Sequence, residues 1–458
     1  MKNRTPARCL AVFGTGSDVG KSVVATGICR WLHRRGLRVA PFKAQNMSNN
    51  SGVTPEGLEM GRAQIAQAEA CDIPPHVDMN PILLKPTSEV GSQVVLLGEA
   101  LSNQTASEYH HNKERLYQTA CGALDRLRGN FDVVVLEGAG SCAEVNLAVH
   151  DIVNFRMAEH AAAPVVLVAD IHRGGVFAQI VGTLACLEAE RRRQVAGFVV
   201  NRFRGDLRLF REGVDWIEQH TNKPVYGVLP WYRHFAIDQE DSVVLEQAPP
   251  AARPGSDRAR VAVVKLPHIS NFTDFEPLQA LDDVGVVFLD KPRPRDGFHA
   301  VVLPGSKNTR ADLAWLHESG WTEGLRSYYR SKGHVLGICG GYQMMGTVVE
   351  DPDGLEGRPG RTGGLGLLPV ETVLQAPKTT TLTRFRWAGI EGRGYEIHMG
   401  RTRRIDADPL MTITARNDAS CRDEDGCRTA DGRAIGTYLH GVFDTPAVLH
   451  HWLTGIGL

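Results

Sequence analysis

The sequence predicts an α/β protein of two domains, each built on a largely parallel sheet. Three observations carry that prediction. Seven apolar runs of strand length recur between longer helical patterns, at residues 10–14, 133–138, 165–170, 197–201, 261–266, 300–305 and 334–339. They are continuously apolar rather than alternating, as expected of strands covered on both faces. Between the fourth and fifth runs lies EQAPPAARPGSDRAR (246–260), a stretch of Pro, Ala, Gly and charge without periodicity, which reads as a linker. Finally, one strand in each half runs directly into a glycine-rich turn that opens a helix.

The chain's 458 residues exceed what one core usually organises, about 100–250 residues per domain. The linker divides it into a domain at 1–245, a connection at 246–259 and a domain at 260–458. Lys and Arg number 51 against 52 Asp and Glu, so the net charge of −1 gives no electrostatic reason to expect nucleic acid or a membrane surface as partner. The apolar part of MKNRTPARCLAVFG is too short for a secretion signal, and no apolar run approaches the roughly 20 residues of a membrane span. Nine dispersed cysteines without C-x-x-C spacing fit a reducing compartment rather than a zinc site, so the expectation is a cytoplasmic protein. Monomer and homo-oligomer both stay open. The acidic loop at 418–433 reads as a turn or exposed hairpin rather than a site.

The first glycine-rich turn is GTGSDVGKS (14–22), between the first strand and a helix expected from Lys21 to Arg35 with Gly36 as its cap. Backbone N–H groups of such a loop, with the positive end of the following helix, cradle phosphate. Thr15 takes the place of the first glycine of the usual pattern, flanked by Gly14 and Gly16; Gly20 precedes Lys21 and Ser22. Lys21 would neutralise the β- and γ-phosphates of ATP, and Ser22 would ligate Mg²⁺. Phosphoryl transfer also needs an acid to hold the metal. Glu137, ending VVVLEGAGS (133–141), is the first candidate. Asp170 and Asn201 end two further strands, where open α/β sheets bind ligands; Asp170 could assist the metal and Asn201 could read the base. A strand-end polar residue is as often a helix cap.

The second turn lies in HVLGICGGYQMMG (334–346), where a strand runs into Cys339 and then a helix. This is a nucleophile elbow with cysteine in place of serine. Glycines 337, 340 and 341 permit the sharp turn, a helix N-terminus favours thiolate, and the backbone at Gly340 can stabilise an oxyanion. The alternative is a buried structural cysteine. A nucleophilic thiol needs a base. His440 of YLHGVFD and His398 of GYEIHMG are the candidates, and either can instead be a satisfied core histidine.

With these motifs in view, the N-terminal half resembles dethiobiotin synthetase-like P-loop ATPases and the C-terminal half resembles class I glutamine amidotransferases. Their fusion is similar to the cobalamin-pathway amidases. PFKAQNMSNNS (41–51), MGRAQIAQAEA (60–70), MNPILLKP (79–86), GSQVVLLG (91–98), NFTDFEPL (271–278) and LPGSKNT (303–309) resemble the cobyric acid synthase family rather than the related a,c-diamide synthases. The resemblance implies ATP- and glutamine-dependent amidation of the b, d, e and g carboxylates of a corrinoid a,c-diamide through acyl phosphates. It favours His440 as base, sets Gly305 in the oxyanion hole and sets Lys43 near phosphate and substrate; Lys85 and Gln45 receive no role. Two departures stand out. The acid usual two residues after the catalytic histidine is replaced by Val442, which implies a Cys–His dyad. His172 stands where the family typically has Asp. A switch ATPase of the ParA/MinD kind is the contrasting reading; it has no amidotransferase half.

Overall fold

The computed structural model describes residues 6–88, 91–232, 259–292 and 297–458, and these fall into two compact units. Among the described residues the first unit takes 6–47, 60–84 and 91–232, and the second takes 48–59, 85–88, 259–292 and 297–458.

The first unit is built on six strands: β1 (Arg8–Gly14), β2 (Val39–Phe42), β3 (Val133–Glu137), β4 (Val165–Asp170), β5 (Val195–Phe203) and β6 (Val225–Pro230). Their order is β6-β5-β4-β1-β3-β2, and every pairing is parallel. The apolar runs are continuous because both faces are covered. Ala11 and Phe13 of β1 enter one core cluster with Val165 and Leu167 of β4, while Val12, Val166 and Val168 enter another. All six residues of β4 are buried. Parallel register brings Gly14 beside Val168, Glu137 beside Val12 and Asn201 beside Asp170, so the carboxyl ends of β1, β3, β4 and β5 share one edge. Helix α1 (Lys21–His33) leaves that edge after Gly20, and its end two residues short of the expected one is followed by Gly36 at φ +80°.

The second unit has β7 (Ala259–Val264), β8 (Val284–Leu289), β9 (Ala300–Leu303), β10 (His334–Ile338), β11 (Cys427–Arg428) and β12 (Ala434–Thr437). Their order is β8-β7-β9-β10-β12-β11, parallel except for the β11–β12 edge. The short helix α2 (Gly340–Met345) follows β10 directly. Two four-stranded sheets within 348–425 were not anticipated; one pairs Thr379–Trp387 with Ile390–His398 and Met411–Arg416. The acidic loop contributes Ala419–Asp425, exposed up to its buried last residue.

A single cut near residue 245 does not describe this division. Segments 48–59 and 85–88 belong to the second unit because their polar groups are satisfied there. The Asn271 side chain accepts from Ser51 N at 3.3 Å and donates to Ser51 O at 3.0 Å, Phe272 N donates to Asn50 Oδ1 at 3.1 Å, and Lys378 pairs with buried Glu59 at 2.5 Å. The linker at 246–259 lies outside the described residues except for Ala259, which opens β7. Among the described residues, no helix is long and apolar enough to cross a membrane.

Candidate active site

Each unit carries one chemically organised site. In the first, residues 14–22 connect β1 to α1. Gly20 adopts φ +91°, and a Cβ there would lie 2.1 Å from Asn201 Nδ2, so only glycine fits. Thr15 N donates to Val168 O at 3.0 Å and secures the loop to β4. Lys21 Nζ donates to Gly16 O at 3.0 Å and to Gly140 O at 2.9 Å, which ties the loop to the turn after β3. Ser22 Oγ donates to Glu137 Oε1 at 2.8 Å.

Glu137 is 1% exposed and closely held. Lys43 Nζ donates to its Oε1 at 3.0 Å, and Gln67 Nε2 donates to its Oε2. Burial works against a charge here, but Lys43, Ser22 and Gln67 outweigh it and hold the carboxyl below its ordinary range. Lys43 is thus an ion-pair partner of Glu137 as well as a neighbour of the loop. Gln67 was not singled out from sequence.

Asn201 and Asp170 both have protein partners at this edge. Asn201 Nδ2 donates to Val19 O at 2.9 Å, so this side chain props the phosphate loop. Asp170 accepts from His172 N at 2.7 Å and from Arg202 Nη1 at 2.9 Å, while Ser22 meets Glu137. His172 packs against Trp231 with ring centroids 4.5 Å apart. The loop nevertheless fits a nucleotide phosphate. It combines a lysine ammonium, a serine hydroxyl and a buried carboxylate, the last two being hard oxygen ligands suited to Mg²⁺.

In the second unit Cys339 occupies the turn between β10 and α2 at φ 52°, ψ −110°, a strained conformation for a non-glycine residue. Close packing enforces it. A Cβ at Gly341 would lie 2.0 Å from Leu303 O, and one at Gly340 would lie 2.9 Å from Ser306 N. Gly305 approaches from the other side, where a Cβ would sit 3.0 Å from His440 Cε1. The structure therefore brings Cys339, Gly340, Gly305 and His440 together. The Cys339 thiol is 3.5 Å from Ile397 O.

His440 is 1% exposed, and its Nδ1 lies 2.7 Å from Asp274 Oδ2. The other oxygen of Asp274 accepts from Gly441 N at 2.8 Å. Burial alone would lower the pKa of His440; the Asp274 carboxylate and the Cys339 sulfur, which also hydrogen-bond it, reverse that and raise it to about 10. The expected Cys–His pair therefore has a carboxylate, Asp274, beside its histidine. Its acid comes from a position 166 residues upstream, not from the Val442 position. Asp274 lies in NFTDFEPL, where its local signal is an acid between two aromatics, Phe272 and Phe275, both buried.

His398 lines the same cavity but stacks on Tyr438 with centroids 3.7 Å apart. Burial outweighs the nearby Glu396 carboxylate and lowers its pKa to about 4, so it stays neutral, and among the described residues no carboxylate is hydrogen-bonded to it as Asp274 is to His440. The arrangement around Cys339 suits nucleophilic attack by sulfur, proton transfer by His440 and oxyanion stabilisation by the backbone near Gly305 and Gly340.

Comparison with known proteins agrees with this division of chemistry. Residues 10–243 match the CobQ/CobB/MinD/ParA nucleotide binding domain, and residues 260–448 match the CobB/CobQ-like glutamine amidotransferase domain. The chain is 53% identical over 456 residues to a protein of Chlorobium phaeobacteroides (strain BS1) named cobyric acid synthase, covering 98% of this chain and 91% of that one. Proteins of the same name from Chlorobium chlorochromatii (strain CaD3) and Chlorobaculum tepidum are 52% and 51% identical, covering 97% and 96% of this chain and 89% of each relative.

Proposed function

The chain belongs to the cobyric acid synthase family, and from that premise we infer that it amidates corrinoid carboxylates in cobalamin biosynthesis with nitrogen taken from glutamine. The observation that carries this reading is the pairing, in one chain, of a phosphate loop built on Lys21, Ser22 and Glu137 with the Cys339–His440–Asp274 triad.

A carboxylate does not condense with ammonia in water without activation. In this reading the substrate carboxylate attacks the γ-phosphorus of ATP, ADP departs and an acyl phosphate forms. Lys21 stabilises charge on the transferring group. Ser22 and Glu137 would hold Mg²⁺, which supplies charge neutralisation on the phosphates. Ammonia then attacks the acyl carbon and phosphate leaves, giving the amide. At the other site Cys339 sulfur attacks the side-chain amide carbon of glutamine. His440 gives its proton to the departing ammonia, and water then hydrolyses the thioester to release glutamate. Asp274 fixes the imidazole and stabilises its cationic form. The sites amidated are the b, d, e and g carboxylates of the a,c-diamide, and the reaction runs in the cytoplasm.

Incubation with the corrinoid a,c-diamide, ATP–Mg²⁺ and glutamine, followed by product mass, tests the reading. Stepwise conversion of four carboxyl groups to amides is the expected result. Absence of any amide gain with either glutamine or ammonium would overturn it.

A further inference from the structure

The cavity at Cys339 carries charge that the triad does not use. Lys85, Lys307 and Lys378 line it, together with Glu356. Lys85 and Lys378 both bind Glu59, at 2.7 and 2.5 Å, so one carboxylate answers two ammonium groups. Lys85 also donates to Ser51 Oγ at 2.7 Å. Glu59 and Lys85 come from segments 48–59 and 85–88, and their bonds help seat those segments. That accounts for Lys85, Lys378 and Glu59 and leaves Lys307 and Glu356. Lys307 is half-buried on the loop after Gly305, and its ammonium has no hydrogen-bond or ion-pair partner among the described residues. Burying an unpaired ammonium is costly. Burial, with Lys378 and Lys85 nearby, outweighs the opposing carboxylates Glu356 and Glu59 and pulls Lys307 down to about 7.

Three ammonium groups against two carboxylates, Glu59 and Glu356, leave a positive surplus beside the thiol, which calls for an anion on the molecule the thiol attacks. Glutamine brings one, its α-carboxylate. We propose that Lys307 is the recognition residue for the glutamine α-carboxylate, with the Glu59–Lys85–Lys378 cluster lending its surplus charge to the same anion. The proposal rests on the reading of Cys339 as the nucleophile toward glutamine. It also explains why Lys307 follows Gly305 by two residues: one short loop serves both ends of the substrate.

The test is steady-state amide hydrolysis by the full chain with two substrates, glutamine and 4-aminobutanamide, which is glutamine without its carboxylate. In Lys307→Met, kcat/KM for glutamine falls at least tenfold, mainly through KM, while that for 4-aminobutanamide is unchanged, so the preference collapses. Lys307→Arg keeps most of the preference. In the unsubstituted protein KM for glutamine rises as pH increases above about 7, where Lys307 loses its proton; Lys307→Arg removes that dependence. Ammonium-dependent amidation persists in both variants and reports an intact fold; should Lys307→Met not fold, Lys307→Gln takes its place. A lysine-free variant that retains the glutamine preference overturns the proposal and leaves the amidotransferase reading standing. An unsubstituted protein that amidates with ammonium yet never hydrolyses glutamine overturns both.

Discussion

Asp274 and His440 form a two-point contact: one carboxylate oxygen meets the imidazole Nδ1 at 2.7 Å while the other accepts the N–H of Gly441 at 2.8 Å. The backbone contact fixes the carboxylate, and the carboxylate fixes the ring, leaving the other ring nitrogen for Cys339. Asp274→Asn should therefore lower glutamine-dependent turnover on the order of 100-fold or more, by leaving the imidazole in the wrong tautomer. Amidation with ammonium should be unaffected. Equal loss with both nitrogen sources would make Asp274 a structural residue only.

The same pair has a pH signature. His440 is held at about 10, well above the ordinary histidine value of about 6.5, so its contribution to stability is fully present below that ordinary value and is lost as pH rises through about 10. Removing the Asp274 carboxylate removes a main cause of the elevation. Thermal melts of Asp274→Asn against the unsubstituted protein should differ most near pH 6 and converge as pH approaches 10. A gap that widens with rising pH would reverse the assigned sign.

Cys339→Ala and His440→Ala should each abolish glutamine-dependent synthesis while sparing ammonium-dependent synthesis. The double variant should be no worse than either single one, because residues that act as a unit fail together. His398→Ala should be milder, since His398 is stacked on Tyr438 and is not hydrogen-bonded to a carboxylate among the described residues. Independent, multiplying losses for Cys339 and His440 would argue against a common step.

What the sequence reveals here follows from how local each constraint is. A parallel strand buried on both faces must be continuously apolar, so β1, β4 and β10 are legible one at a time. A phosphate loop and a cysteine elbow need glycines at fixed short offsets, so Lys21, Ser22 and Cys339 are legible too. Contacts across the fold carry no such mark. Lys43 and Glu137 meet across 94 positions, and Asp274 and His440 across 166. A strand-end amide such as Asn201 can serve a ligand or a neighbouring loop, and its 2.9 Å bond to Val19 O is visible only in the fold.

The Lys43–Glu137 pair predicts a stability asymmetry. Side chains of both residues are at most 2% exposed, so Lys43→Met leaves a buried carboxylate without its ammonium. Breaking such a pair from one side costs about 3–5 kcal/mol. Denaturant unfolding should show that loss for Lys43→Met, and the added Glu137→Gln should recover part of it by removing the stranded charge. A double variant less stable than Lys43→Met would show that Glu137 has other stabilising partners of greater weight.

The phosphate loop gives the converse of the cysteine variants. Lys21 bridges the carbonyls of Gly16 and Gly140, and Ser22 meets Glu137, so the groups proposed to handle the phosphates converge from α1 and β3. Carboxylate activation precedes any use of ammonia, whatever its source. Lys21→Ala should consequently abolish amidation with glutamine and with ammonium alike. Glu137→Gln, which keeps the size of the side chain but removes its charge, should lower both at least ~100-fold if metal-assisted charge stabilisation is worth several kcal/mol, and should alter the magnesium titration. Neither change touches the thiol chemistry, so glutamine hydrolysis measured without ATP should persist in both variants. Ammonium-dependent synthesis at an undiminished rate in Lys21→Ala would remove the loop from the reaction, and a normal rate with a normal magnesium titration in Glu137→Gln would return that carboxylate to a purely structural pairing with Lys43.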